Sequence, residues 1–208
     1  MNTVLDFDPN GTEDKIGFPD GGSVDVREVD DKHWRVLKEF EYQGMRRRFD
    51  VPVNERTDFA SVPRVFVWFI PTYGRYTKAA ILHDYLCRLA RENKFDRRDA
   101  DGLFRQAMRT LGVPFLKRWI MWAAVRLGAV LTPNGRKGWL KDAPVVLLIA
   151  LLVLPIVLPA AIVIAATLLV WYVAEVVVYV PLLMIHGVRA RSHMPTKRIN
   201  KPELTVRL

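Results

Sequence analysis

The sequence predicts an α+β fold: a small N-terminal domain with a β-hairpin and helices, followed by a C-terminal transmembrane-like helical hairpin. Three observations predict it. Residues 143–185 form a 43-residue apolar block whose one charged side chain is Glu175. A membrane-spanning helix needs about 20 residues, so the block has room for two. Lys137 and Lys141 precede it, and Arg189, Arg191, Lys197 and Arg198 follow it. Cations on both flanks favour a hairpin with both ends on the cytoplasmic side. The 142 residues before it mix alternating segments with helical periodicity, enough for one domain with a modest core. The chain therefore divides into an irregular segment (1–23), an α+β domain (24–131), a linker (132–142), the apolar hairpin (143–185) and a basic tail (186–208).

In chain order, Asp8-Pro9-Asn10-Gly11 and Pro19-Asp20-Gly21-Gly22 are turn formers. Val24, Val26 and Val29 mark a first short strand. Trp34, Val36, Phe40 and Tyr42 read as one imperfectly alternating strand. Gln43-Gly44 turns the chain into a segment carrying Phe49, Val51 and Val53 on one face. Pro52 confines that strand to an edge or ends it. A polar loop over 56–63 enters the apolar run 65–70, which Pro71-Thr72-Tyr73-Gly74 breaks. A first helix begins near Thr77, with Ala79, Ala80, Leu82, His83, Leu86 and Cys87 on neighbouring positions. A second helix spans about 98–111, with Ala100, Leu103, Phe104, Ala107, Met108 and Leu111 as its apolar stripe. Gly112-Val113-Pro114 stops it. A third helix over 115–131 has a broad apolar face, and Lys117, Arg118 and Arg126 supply positive charge. It fits either the membrane interface or the domain core. Within the apolar block, a bend near 159–161, beside the helix breakers Pro155 and Pro159, gives the two spans. The alternatives are a first span kinked at Pro155 with a later bend, two shallow re-entrant helices and, as main rival, a single pass that puts the tail outside against the basic flanks.

The formal charge of +9 places +5 on residues 1–142, −1 at Glu175 and +5 on the tail 186–208. A dense cationic tail beside a membrane span suits anionic headgroups. Nucleic acid is disfavoured, because no recognition motif accompanies the charge. Cys87 is the one cysteine, so the fold does not rest on an intrachain disulfide. The first 20 residues hold five acids and no apolar core of a signal peptide. A cytoplasmic polar domain is the expectation.

The domain's chemistry-bearing residues gather in three places: Thr57-Asp58-Phe59-Ala60-Ser61-Val62-Pro63, His83-Asp84-Tyr85-Leu86-Cys87, and Asp99 with Asp101. Residues Thr57-Asp58, Ala60-Ser61-Val62-Pro63-Arg64, Arg75-Tyr76, Ala79-Ala80, His83-Asp84-Tyr85-Leu86 and Asp101 with Phe104 resemble the DUF1353 family of phage and bacterial proteins, over roughly residues 30–125. The resemblance implies a phage or prophage origin and no particular reaction, and it does not reach the apolar block. The His-Asp pair with a later Asp also looks like the helix pair of secreted phospholipases A2, in which a His activates water and the neighbouring Asp helps hold calcium. This chain lacks their cysteine framework, and no Gly-rich calcium loop immediately precedes His83.

Adjacent helical residues diverge by about 100°, so His83 and Asp84 do not hold each other and a partner for His83 must come from elsewhere. Asp101 or Asp58 can orient His83 as a general base, and Ser61 is a candidate nucleophile without a Gly-x-Ser-x-Gly elbow. The candidate catalytic residues are thus His83, Asp84, Asp58, Ser61 and Asp101. A metal reading draws on Asp58, His83, Asp84 and Asp101, with no ion identified. The competing role is structural, with Asp58, Ser61, Asp99 or Asp101 as turn or helix caps, His83 buried and satisfied, and Tyr85 and Cys87 in the core.

These observations lead to one main expectation: a membrane-associated phage structural or assembly protein, in the virion during genome entry or in the host inner membrane with its polar domain cytoplasmic. Its partners are membrane lipid or the apolar surface of an assembly, as a homo-oligomer or with phage structural proteins. A membrane-bound hydrolase using His83 with Asp58, Asp84 or Asp101 is one alternative, and a holin-like pore former is the other.

Overall fold

The computed structural model describes residues 16–59, 62, 64–191 and 201. The chain separates into two compact units, residues 1–61 with 71–154, and residues 62–70 with 155–208.

The first unit carries the strands. β1 (Val26–Asp30), β2 (His33–Val36) and β5 (Arg56–Thr57) form an antiparallel sheet in the order β1-β2-β5. β3 (Phe40–Gln43) and β4 (Arg48–Val51) form a separate antiparallel pair, with Phe40 opposite Val51 and Tyr42 opposite Phe49. Those four side chains are buried, and the strand partners alternate outward, as a half-buried pleat requires. The expected hairpin across Gln43-Gly44 is present, and Pro52 ends β4. The single strand expected from Trp34 to Tyr42 is two strands in two sheets. Leu37 to Glu39 interrupt it, and the Val36 N–H donates to the Glu55 carbonyl instead of continuing the run.

The helices of this unit are α1 (Thr77–Arg91), α2 (Arg97–Thr110), α3 (Phe115–Ala129) and the short α4 (Pro133–Arg136), which lies within the expected linker. α1 is central: Ala79, Ala80, Ile81, Leu82, Leu86 and Leu89 are all buried, and it packs on α2 and β5. Asn93 ends it at φ 57°, where its N–H donates to the Ala90 carbonyl and the Lys94 N–H to the Leu89 carbonyl. Asp96 caps α2 by accepting from the Arg98 and Asp99 N–H groups. Of the expected caps, Asp99 lies in the first turn of the helix and Asp101 deeper within it, so neither occupies the cap position that Asp96 fills. α3 turns Trp122 and Ala123 onto Val146 in a small apolar cluster, while Phe115, Leu116 and Leu127 are exposed.

α5 (Trp139–Arg191) is one unbroken helix of 53 residues, about 80 Å long. The expected helical hairpin with a bend near 159–161 is absent. Pro155, Pro159 and Pro181 each remove one helical hydrogen bond, but residues 143–185 contain no Gly, Asn or Asp to turn the chain. The α5 segment from Trp139 to Ile185 is long and apolar enough to cross a membrane. In the second unit, the Trp171 indole N–H donates to Glu175 Oε1 at 2.7 Å, one turn along α5.

Candidate functional site

The α1–α2 pair assembles the densest polar cluster. His83 Nε2 lies 2.7 Å from Asp101 Oδ1, with Asp101 fully buried and a tenth of the His83 side chain exposed. Phe104 stacks near the imidazole, ring centres 4.8 Å apart. Arg97, one turn before Asp101, donates its Nε to the same Oδ1 at 3.1 Å, and Arg126 from α3 donates to Oδ2 at 3.0 Å. Burial pushes the Asp101 carboxyl up, but the His83 hydrogen bond and the two guanidiniums outweigh it and hold the carboxyl below its ordinary range. Arg126 is itself fully buried and reaches Asp142 in the first turn of α5, which Arg98 grips with two hydrogen bonds of 2.8 Å. The chain His83–Asp101–Arg126–Asp142–Arg98 thus runs from α1 through α2 and α3 to the start of α5.

Asp84, one residue on from His83, faces a different cluster, as the helical angle requires. The Thr57 hydroxyl donates to its Oδ2 at 2.5 Å, and the Phe59 N–H donates to that hydroxyl at 2.9 Å. Phe59 adopts φ 60°, so the 57–59 segment curls over Asp84. Burial first, then the neighbouring Asp58 carboxylate, hold the Asp84 carboxyl well above its ordinary value. Nearby, Arg88 clasps the buried Glu55 through two hydrogen bonds of 2.9 and 2.7 Å. Asp58 and Asp84 therefore neighbour each other, while His83 and Asp101 form their own pair. Ser61, the candidate nucleophile, lies outside the described residues.

Among the described residues, the donors that converge for a metal are His83, Cys87 and Asp101. The expected set of Asp58, His83, Asp84 and Asp101 does not converge, because His83 and Asp84 leave α1 in different directions. By type, a sulfur, a nitrogen and an oxygen donor suit zinc. The charges do not: both Asp101 oxygens are already bonded, and two guanidiniums stand against a dication. Cys87 Sγ is 3.4 Å from His83 Nε2, and burial raises its thiol to about 12, so it is a neutral thiol at physiological pH.

Five members of this network are not assigned to the site from the sequence: Cys87, which the sequence gives to the core, and Arg97, Arg98, Arg126 and Asp142. Two carried a legible signal, since Cys87 is four residues from His83 and Arg97 four from Asp101, the helical neighbour spacing. Arg126, read as one of the positive charges of the third helix, is turned inward by Asp101 and Asp142.

This arrangement defines a class: a small α+β domain with a buried His–Asp–Arg network between two helices, continuing into a long apolar helix. Residues 34–125 match the family described as "Protein of unknown function (DUF1353)". The match takes in both clusters around α1, but Arg126 lies one residue past it and α5 lies beyond it. A similar protein is an uncharacterized protein, y4jT, of Sinorhizobium fredii (strain NBRC 101917 / NGR234), 37% identical over 81 residues. That alignment covers 38% of this chain, and the chain spans 23% of that relative's length. No solved structure matches the chain.

Proposed function

We propose that this protein is a membrane-associated hydrolase in which His83 is the general base and Asp101 its positioning residue. The 2.7 Å bond from His83 Nε2 to a fully buried carboxylate carries the reading. It fixes the proton on Nε2 and leaves Nδ1 as the basic atom, which has no hydrogen-bond partner among the described residues. Nδ1 takes a proton from water as the water oxygen attacks an acyl carbon, and the imidazolium returns that proton to the leaving oxygen of an ester or the leaving nitrogen of an amide. Water is the nucleophile because the Cys87 thiol stays protonated. α5 supports a substrate at the membrane, a lipid ester or a cell-wall fragment. The test is hydrolysis of phospholipid and peptidoglycan fragments by the full chain in nanodiscs. His83→Asn is expected to lower the rate on the true substrate about 100-fold or more with the fold retained. Equal turnover by wild type and His83→Asn overturns the assignment.

A second reading, a phage structural or assembly protein, is supported by the length of α5. Its 43-residue apolar stretch measures about 65 Å, against a hydrocarbon core of about 30 Å. Half of it lies beyond one upright crossing and suits the apolar surface of an assembly. A homo-oligomer by native mass in mild detergent, with no hydrolysis of either substrate class, favours this reading.

A further inference from the structure

A separate cleft, of about 620 Å³, lies between the β3–β4 turn and α2, and its lining includes none of His83, Cys87 or Asp101. Its size is that of a small-ligand pocket. Arg46 and Arg47 line it from the turn, and Arg98 and Arg105 from α2, against Asp99 and Asp142. Arg98 and Arg126 already answer the Asp142 charge. Among the described residues, Arg46, Arg47 and Arg105 have no carboxylate within ion-pair distance. Arg105 lies instead on aromatic faces, 3.9 Å from the Trp119 ring centre and 5.1 Å from that of Trp122. Burial, then the nearby Arg118, make its guanidinium less basic than usual. Four guanidiniums line the cleft against two carboxylates. Cations in excess of their counter-charges repel one another, and an anion relieves that repulsion.

Two glycines shape the cleft. Gly44 closes the turn through its N–H to the Arg47 carbonyl at 2.9 Å, and a Cβ there would meet that same oxygen at 2.9 Å. The turn that presents Arg46 and Arg47 is thus held tight. Gly102, inside α2, faces open space, since a Cβ added there meets nothing within 4 Å. Glycine inside a helix costs about 1 kcal/mol relative to alanine. No packing demand explains it here, but a side chain at this position would enter the cleft.

We propose that this cleft binds a phosphoryl group, gripped by the forked guanidiniums of Arg46, Arg47 and Arg105, whose planar donors match phosphate oxygens. Phe95 and Trp122, also in the lining, suit an apolar portion attached to that phosphate. The phosphate comes either from a lipid headgroup or from a soluble phosphate.

The test is a ³¹P NMR titration of the full-length chain in a neutral detergent, with inorganic phosphate in one arm and monomeric dihexanoyl-phosphatidylglycerol in the other. A saturable shift is expected in at least one arm. Saturation by inorganic phosphate identifies the soluble source, and saturation by the lipid alone identifies the headgroup. The paired substitutions Arg46→Gln and Arg47→Gln, in an exposed turn, are expected to weaken binding about tenfold or more. Gly102→Leu is expected to abolish it while leaving thermal stability equal or higher, and Asp99→Asn to tighten it. No saturation in either arm, or unchanged affinity in both the arginine and Gly102→Leu variants, overturns the proposal.

Discussion

His83 and Asp101 meet across the α1–α2 interface at 2.7 Å, and the carboxylate that receives the imidazole also binds Arg97 and Arg126. One buried charge therefore holds three helices. Asp101→Asn leaves the fully buried Arg126 guanidinium short of an anion and is expected to cost about 3–5 kcal/mol in denaturant titrations of the detergent-solubilised chain. His83→Asn removes one hydrogen bond from the same carboxylate, and about 1–3 kcal/mol is expected. The folded Asp101 carboxyl is held below its ordinary 3.8, so its stabilisation is fully present above the unfolded value and is lost as pH falls through the folded one. Wild type should accordingly lose stability below about pH 4 that Asp101→Asn has already lost.

Asp84 carries the opposite sign. Its folded carboxyl is held well above the ordinary 3.8, so ionising it works against the fold increasingly as pH rises through the folded value. Asp84→Asn keeps an acceptor for the Thr57 hydroxyl and removes the charge. The variant is expected to be more stable than wild type at pH 8, and the gain should vanish near pH 4. A loss of stability at pH 8, read by thermal unfolding, contradicts this account.

Trp122 joins α3 to the start of α5 by packing with Val146, and it also lies under Arg105. Trp122→Ala is expected to cost about 3–5 kcal/mol. Phe115→Ser and Leu116→Ser, at side chains 65% and 67% exposed, should stay within about 0.5 kcal/mol. Chemical denaturation of the three variants side by side checks the contrast.

The continuous α5 makes a topological prediction. If it crosses a bilayer once, Lys137 and Lys201 face opposite sides. Single Lys137→Cys and Lys201→Cys variants, probed with an impermeant maleimide on sealed vesicles, should label from opposite faces. Cys87 is buried and should not compete. Labelling of both positions from one face means that the helix folds back in lipid. A single upright crossing that begins at Ala143 ends near Ile162. Glu175 then stands about 48 Å along the axis, about 18 Å past the hydrocarbon and beyond the headgroup layer, on the far aqueous side with its bond from Trp171.

Local pattern carried much of the fold. The 3.6-residue stripes of α1 and α2, the turn at Gln43-Gly44, the stop at Gly112-Val113-Pro114 and the strand end at Pro52 depend on near neighbours in sequence, so they were legible there. The split of Trp34 to Tyr42 into β2 and β3 was not, because pairing partners such as Glu55 come from far along the chain. The α5 hairpin was expected from flanking charge and length, which constrain topology in lipid but say nothing of a bend that has no turn residues.

The sequence by itself determined that a polar α+β domain precedes a long apolar segment, and that His83 needs a partner from outside its own helix, since helical geometry and hydropathy are local properties. Tertiary structure alone decided which carboxylate that partner is. Asp101 and Asp58 were equal candidates along the chain, and the packing of α2 against α1 delivered Asp101 to His83, while the 57–59 curl put Asp58 beside Asp84. The inward turn of Arg126 was decided in the same way: a guanidinium in an apolar helix looks like surface charge until a buried carboxylate on another helix supplies the reason to bury it.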